Sequence, residues 1–207
     1  FSDILAQSHV SSSAALADIL KKLILMEMVI KVAPINEQGN KKRTGYFIND
    51  NLSCFYYRYL FRYASQLRIM DPHHFYDCYI DQDFEQDYVP HQFETICREY
   101  LIRQNLQGKL SLPFDSIGKY YYDLPKEHRN GEFDIVTHDE RGYIFYEAKF
   151  RKDPITEQMM IHEIEQVNAT GLYCYRYGFF SRSGYESSPR PDIITYDLHD
   201  LYERLPN

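Results

Sequence analysis

Tryptophan is absent from this 207-residue sequence, and several features that would identify a class of function are missing as well. No apolar run approaches the ~20 residues needed to span a membrane, because charges interrupt the longest one, ILKKLILMEMVIKV. No secretory signal is visible, which favours a cytoplasmic location. An excess of positive charge is also missing, since the formal net charge is −7. Any contact with nucleic acid must therefore use local basic patches.

Paired cysteines are missing too. The four cysteines are widely separated: Cys54, Cys78, Cys97 and Cys174. Without a CxxC pair, this spacing favours free thiols in a reducing compartment over a disulfide framework or a zinc site. Adjacent histidines such as His73 and His74 are more often solvent-facing than metal-bound, even with Cys78 nearby.

The phosphate-binding signature of P-loop proteins, GxxxxGK[ST], does not occur. The isolated pair Gly108-Lys109 lacks the rest of the motif. We therefore expect no ATP site in this chain.

The chain starts with the order helix, Ser-rich turn, helix, hairpin, which is typical of a winged helix with a truncated beginning. We expect this domain, with an aromatic helical extension, over residues 1–69, an acidic linker over 70–89, and a second domain over 90–207. The basic side chains of the second helix and the wing are candidates for DNA phosphate contacts: Lys21, Lys22, Lys41, Lys42 and Arg43. The alternative is a packing module whose lysines form a solvated face.

The central stretch, GEFDIVTHDERGYIFYEAKFR, predicts two strands joined by a polar turn. Side chains alternate along a strand, so Glu147 and Lys149 share one face and Asp134 can join them across the hairpin. Two adjacent carboxylates repel unless a cation lies between them, and hard oxygen ligands suit Mg²⁺ or Mn²⁺. An ammonium group beside that cation suits phosphate chemistry. The alternative is an amphipathic hairpin with a surface Glu–Lys pair.

An acid, a spacer and then acid-x-Lys resembles the PD-(D/E)XK nuclease superfamily, although Phe133 stands where that name has proline. From Pro90 the predicted order is helix, three strands, helix, strand, which matches the core order of that α/β (mixed α+β) fold, with a mixed central sheet flanked by helices. The resemblance implies that Asp134, Glu147 and the Ala148 carbonyl bind Mg²⁺ or Mn²⁺. It also implies that Lys149 orients the attacking water.

In the same superfamily a glutamate of the first core helix faces the metal, and Glu94 in QFETICREYL matches it. Its alternative role is a surface pair with Arg98. Glu132 is expected to support the site from the same strand, and Gln166 to make at most a minor contact.

A second resemblance covers nearly the whole chain and depends most on YFINDNLSCFYYRYLF, GEFDIV and YEAKFR. It is to the C-terminal region of a family of archaeal and bacterial AAA-type ATPases, whose N-terminal module carries the P-loop. This resemblance implies a fragment of a longer protein with that ATPase module and DNA as partners. Two functions follow: a Mg²⁺-dependent DNA endonuclease module, or an inactive module that binds DNA or protein for the ATPase.

Overall fold

A computed structural model describes residues 1–40, 42–188 and 190–202. The α-helices are α1 Ser2–Gln7, α2 Ser13–Leu25, α3 Asn51–Phe55, α4 Ala64–Leu67, α5 Pro72–Tyr79, α6 Asp81–Asp83, α7 Val89–Leu106, α8 Glu157–Ala169 and α9 Leu198–Tyr202. The strands are β1 Val29–Val32, β2 Gly45–Ile48, β3 Ser116–Leu124, β4 Arg129–Asp139, β5 Gly142–Lys149, β6 Cys174–Ser181 and β7 Ile193–Asp197. These elements form two compact units, Phe1–Glu85 and Gln86–Asn207.

The first unit begins with the order predicted from the sequence: two helices, α1 and α2, and then an antiparallel hairpin of β1 and β2. The Ser12 hydroxyl accepts a hydrogen bond from the Ala15 N–H and so caps α2. Leu16 and Leu20, four residues apart, are the buried residues of that helix. The local order predicted from the sequence is confirmed here.

The interval 70–89, expected to be an acidic linker with at most one short helix, is helical almost throughout. Asp71 caps α5 by accepting hydrogen bonds from the backbone of His73 and His74, and Pro72 opens the helix. A π-helical segment, Phe84–Tyr88, then leads into α7. The sequence did not indicate these helices, because short helices that begin at a cap need no long apolar period.

The aromatic helical extension of the first unit is not one continuous helix. A π-helical segment, Tyr56–Phe61, separates α3 from α4. Within it Tyr59 is almost fully buried, and its hydroxyl donates a hydrogen bond to Asp83. Arg58 donates two further hydrogen bonds of 2.7 Å to the same carboxylate. Polar contacts therefore join the extension to the acidic interval.

The second unit contains a five-stranded mixed sheet in the order β3-β4-β5-β6-β7. The first three strands are antiparallel, and β5, β6 and β7 run parallel. Helix α7 packs on one face with Phe93 and Cys97, and α8 packs on the other with Met160. This arrangement confirms the predicted α/β architecture, a mixed sheet flanked by helices.

The polar turn predicted between the two central strands is short. Strand β4 runs to Asp139, which pairs with Gly142 and leaves a two-residue turn. Helix α8 starts at Glu157, where the Thr156 hydroxyl caps it by accepting a hydrogen bond from the Met159 N–H.

None of the helices in the described ranges combines the length and apolar character that a membrane crossing requires.

Candidate active site

The β4–β5 hairpin brings together the two acids predicted to share a cation. Its ladder ends at the pair Ile135–Tyr146, and Asp134 and Glu147 are the next residues on the two strands. Ile135 and Tyr146 are buried in the core beneath α7, which anchors this end of the hairpin. The packing of apolar neighbours therefore fixes where each carboxylate leaves the sheet.

Helix α7 supplies the third acid. Phe93 and Cys97 are buried against the sheet, and Glu94 lies beside them on the helix surface. Burial is the largest cause that raises the pKa of the Glu94 carboxyl to about 7. The negative charge of Asp134 adds to this effect, and that of Glu147 contributes less. The charges of Asp134 and Glu147 therefore reach Glu94, and Arg98 is not among the leading charges that act on it.

Glu147 is held in an ion pair on its own strand. Its Oε1 lies 2.8 Å from the Lys149 Nζ, and that ammonium group lies 2.7 Å from Glu163 Oε1 on α8. Burial raises the pKa of Glu147, while Lys149 opposes the rise and the charges of Glu163 and Asp134 add to it. The carboxylate is thus only partly compensated by its lysine.

A second lysine lies on the other strand next to β4. The Lys119 Nζ is 2.7 Å from Asp134 Oδ1 and 3.5 Å from Glu132 Oε2. Burial acts to lower the pKa of Lys119, but the hydrogen bond and charge of Asp134, together with Glu132 and Glu94, raise it. Burial likewise acts to lower the pKa of Lys149, and its two carboxylate partners raise it. Both lysines are therefore ammonium groups at neutral pH.

The charge balance of this region is negative. Five carboxyls face the two ammonium groups: Glu94, Glu132, Asp134, Glu147 and Glu163. Within the described ranges, no group of three or more His, Cys, Asp or Glu side chains is arranged to hold a metal ion by itself. Magnesium, however, usually binds through one or two carboxylates and keeps several waters. The two carboxylates of Asp134 and Glu147 match that number of protein ligands.

Ala148, whose carbonyl is the third expected ligand, lies between Glu147 and Lys149 in β5 and is in register with Phe180 of β6. Its side chain packs against the core beneath α7. This packing places Ala148 on the face of the strand opposite to its two charged neighbours, as the alternation predicted.

A narrow cleft borders the site on the α8 side. It encloses about 20 Å³, room for about one water molecule, and its wall includes Phe133, Phe145, Tyr177, Glu147 and Glu163. The apolar rings exclude solvent from one side of the carboxylates, which explains why burial dominates the pKa of Glu147.

Two residues of the site were not found from the sequence. Lys119 is the single basic residue of the aromatic strand β3. Its position in that strand was the signal that could have identified it as part of a site. No sequence signal identified Glu163, because α8 carries several acids and the sequence does not show which one reaches the sheet. Gln166, considered as a minor contact, instead lies 2.9 Å from His162 on an exposed part of α8.

The proposed phosphate contacts of the winged helix are solvent-facing where the structure describes them. Lys21, Lys22, Lys42 and Arg43 are exposed, and Lys41 lies outside the described residues. Lys22 forms a 2.8 Å ion pair with Asp18 one turn earlier in α2, which offsets part of its charge.

A family model for archaeal and bacterial proteins of unknown function, DUF234, matches residues 56–167. An uncharacterized protein of Methanocaldococcus jannaschii is 29% identical over 189 residues, which cover 88% of this chain and 40% of that protein. A UPF0102 protein of Marinobacter nauticus is 26% identical over 84 residues, or 38% of this chain and 68% of that protein. No solved structure matches.

The chain thus spans about two-fifths of the length of its archaeal relative. The segment matched by the family model covers more than half of the chain and includes every residue of the candidate site, from Glu94 to Glu163. This chain belongs to the DUF234 family of archaeal and bacterial proteins of unknown function.

Proposed function

We propose that the second unit is a metal-dependent nuclease module that hydrolyses DNA phosphodiesters, and that the winged helix of the first unit holds the DNA. The observation that carries this proposal is that the charges of Asp134 and Glu147 both act on Glu94, while Glu147 lies 2.8 Å from the ammonium group of Lys149. A half-buried, net negative cluster of this kind is stabilised by a divalent cation.

Asp134 and Glu147 would hold Mg²⁺ or Mn²⁺, and Glu94 would help to fix that cation from α7. When bound, the cation polarises a phosphate oxygen and lowers the pKa of a water molecule. Lys149 keeps its charge through Glu147 and Glu163, so it can orient the attacking water and offset the negative charge that develops on the phosphate. The cleft beside Glu147 keeps bulk solvent away from one side of the site.

We also propose that this chain serves a longer protein that carries an AAA-type P-loop ATPase module. Two facts support this: the resemblance of YFINDNLSCFYYRYLF, GEFDIV and YEAKFR to such proteins, and the length of the archaeal relative. The basic side chains of the winged helix would then contact phosphates of the DNA.

A second candidate function is a non-catalytic module that binds DNA or protein. The favouring observation is that Asp134 and Glu147 already have lysine partners at 2.7 and 2.8 Å. A set of ion pairs that satisfies itself needs no metal and performs no chemistry.

The test is cleavage of supercoiled plasmid DNA with Mg²⁺ or Mn²⁺, compared with the same reaction in a chelator. We expect Asp134→Ala and Lys149→Ala each to abolish cleavage. Asp123→Ala, which removes an exposed acid of the same sheet, and Lys152→Ala, which removes an exposed lysine near Lys149, should leave it unchanged. Metal-dependent cleavage that survives both site substitutions excludes this mechanism, and DNA binding without cleavage favours the second candidate.

A further inference from the structure

Lys119 occupies a particular place in the sheet. It lies at the register shift between Gly118 and Tyr120, where the pairing of β3 with β4 becomes irregular. The shift lies opposite Asp134, and the Lys119 ammonium bridges Asp134 and Glu132 at 2.7 and 3.5 Å. The side chain of Lys119 is 29% exposed, so it is partly shielded from bulk water.

The two lysines of the site are held differently. Lys149 contacts a carboxylate on α8 in addition to its partner on β5, so it keeps a partner if Glu147 turns towards a metal. Lys119 has its short contact with Asp134, which is itself the proposed metal ligand. An ammonium group at hydrogen-bonding distance and a divalent cation cannot both occupy the space in front of Asp134 Oδ1.

We propose that Lys119 is the resident counter-cation of the candidate metal site: its ammonium group holds Asp134 and Glu132 when no metal is bound, and a divalent cation binds by displacing it. The inference rests on the proposed function, because it takes Asp134 as a metal ligand. The affinity for the metal then depends on an exchange between the Lys119 ammonium group and the divalent cation.

The exchange has a measurable consequence. Removing the lysine charge removes the competitor and makes the site more negative, so the metal should bind more tightly. Partly exposed ion pairs are individually weak, which sets the expected gain at about two- to fivefold in affinity. Without metal, the same substitution leaves two carboxylates unpaired and lowers the thermal unfolding temperature.

The experiment is calorimetric titration of Mn²⁺ into the whole chain without DNA, for the wild type, Lys119→Met and Lys119→Arg. Thermal unfolding of each protein is measured with and without Mn²⁺. Lys119→Gln, which keeps a hydrogen-bonding group at this position, replaces the methionine variant if that protein does not fold. Lys152→Met is the matched control for an exposed lysine outside the site.

We expect Lys119→Met to bind Mn²⁺ about two- to fivefold more tightly than the wild type. Lys119→Arg and Lys152→Met should bind as the wild type does, and Asp134→Asn in the Lys119→Met chain should remove the gain. We also expect Mn²⁺, but not NaCl of equal ionic strength, to restore the unfolding temperature that Lys119→Met loses.

Equal or weaker Mn²⁺ affinity in Lys119→Met, with binding still dependent on Asp134, overturns the inference and leaves the metal site standing. If neither protein binds Mn²⁺ with a saturable isotherm, the inference and the proposed function both fail. These two failures are therefore distinguishable.

Discussion

Lys149 on β5 and Glu163 on α8 form an ammonium–carboxylate contact of 2.7 Å, and the same ammonium lies 2.8 Å from Glu147. Glu163 therefore fixes the position of Lys149 from the neighbouring layer of the fold without being a proposed metal ligand itself. A group that positions another should affect turnover more than substrate affinity.

We predict that Glu163→Gln lowers kcat for metal-dependent DNA cleavage by about 10- to 100-fold and changes KM little, because Lys149 loses its second anchor. Steady-state cleavage of a fluorescent duplex separates the two constants. Glu165→Gln on the exposed side of the same helix is the control. A kcat equal to that of the wild type, or an equal loss in the control, contradicts the role given to Glu163.

The raised pKa of Glu94 predicts a pH dependence of stability. In the folded chain this pKa is about 7, above the usual 4.5 of an unfolded glutamate, so the folded state binds more protons between these values. The wild type should therefore lose stability relative to Glu94→Gln as the pH rises from about 4.5 to 7. The difference should remain constant above that range, at on the order of 1 kcal/mol after solvent screening.

Urea unfolding from pH 4 to 8.5 measures this difference. The free energy of unfolding of Glu99→Gln, an exposed substitution on the same helix, should differ from that of the wild type by the same amount at every pH. If the free energy of unfolding of Glu94→Gln also follows that of the wild type at every pH, burial and Asp134 do not raise the pKa of Glu94.

Gly178 in β6 is required by the neighbouring strand. A Cβ at this position would lie 2.2 Å from Cδ1 of Tyr146, which anchors the end of the hairpin that carries Glu147. We predict that Gly178→Ala destabilises the chain by about 1–3 kcal/mol, because overpacking forces the ring and strand apart.

Chemical denaturation tests this effect, with Gly39→Ala as the control because nothing lies within 4 Å of a Cβ there. In a Tyr146→Leu chain the cost of Gly178→Ala should shrink, since the clashing ring is gone. An unchanged cost in that background would mean that the strain lies elsewhere.

Asp83 is predicted to stabilise the first unit through the two hydrogen bonds from Arg58 and the one from the Tyr59 hydroxyl. Asp83→Asn should cost about 1–2 kcal/mol, whereas Asp77→Asn on exposed α5 should stay within about 0.5 kcal/mol. The hydrogen bonds from Arg58 and Tyr59 lower the pKa of Asp83. Its contribution is therefore present above about pH 4 and is lost as the pH falls through the lowered pKa.

The measurement is thermal unfolding followed by far-UV circular dichroism at pH 3 to 7. If Asp83→Asn and Asp77→Asn have equal effects at pH 7, the contacts that join the aromatic extension to the acidic interval do not stabilise the unit.

The hairpin could be predicted from the sequence because successive side chains of a strand point to opposite faces of the sheet. Alternation placed Glu147 and Lys149 on one face, and the order of elements predicted a mixed sheet with helices on both sides. The apolar stripe of α7 likewise predicted which side of that helix is buried, and so placed Glu94 at its border.

What the sequence could not supply depends on tertiary detail. Lys119 reaches Asp134 at a register shift, and the position of such a shift has no sequence signature in β3. The π-helical segments and the short capped helices of residues 70–89 lack a regular apolar period, so the pattern indicated a linker.

Whether Asp134 and Glu147 share one divalent cation can be observed by locating Mn²⁺ through its anomalous X-ray scattering in a crystal of this chain. We expect a peak about 2.1 Å from an oxygen of each carboxylate, with Lys119 moved away from Asp134 and Lys149 still on Glu163. A crystal saturated with Mn²⁺ that shows no peak there, and retains the Lys119–Asp134 and Lys149–Glu147 pairs at 2.7 and 2.8 Å, would contradict it.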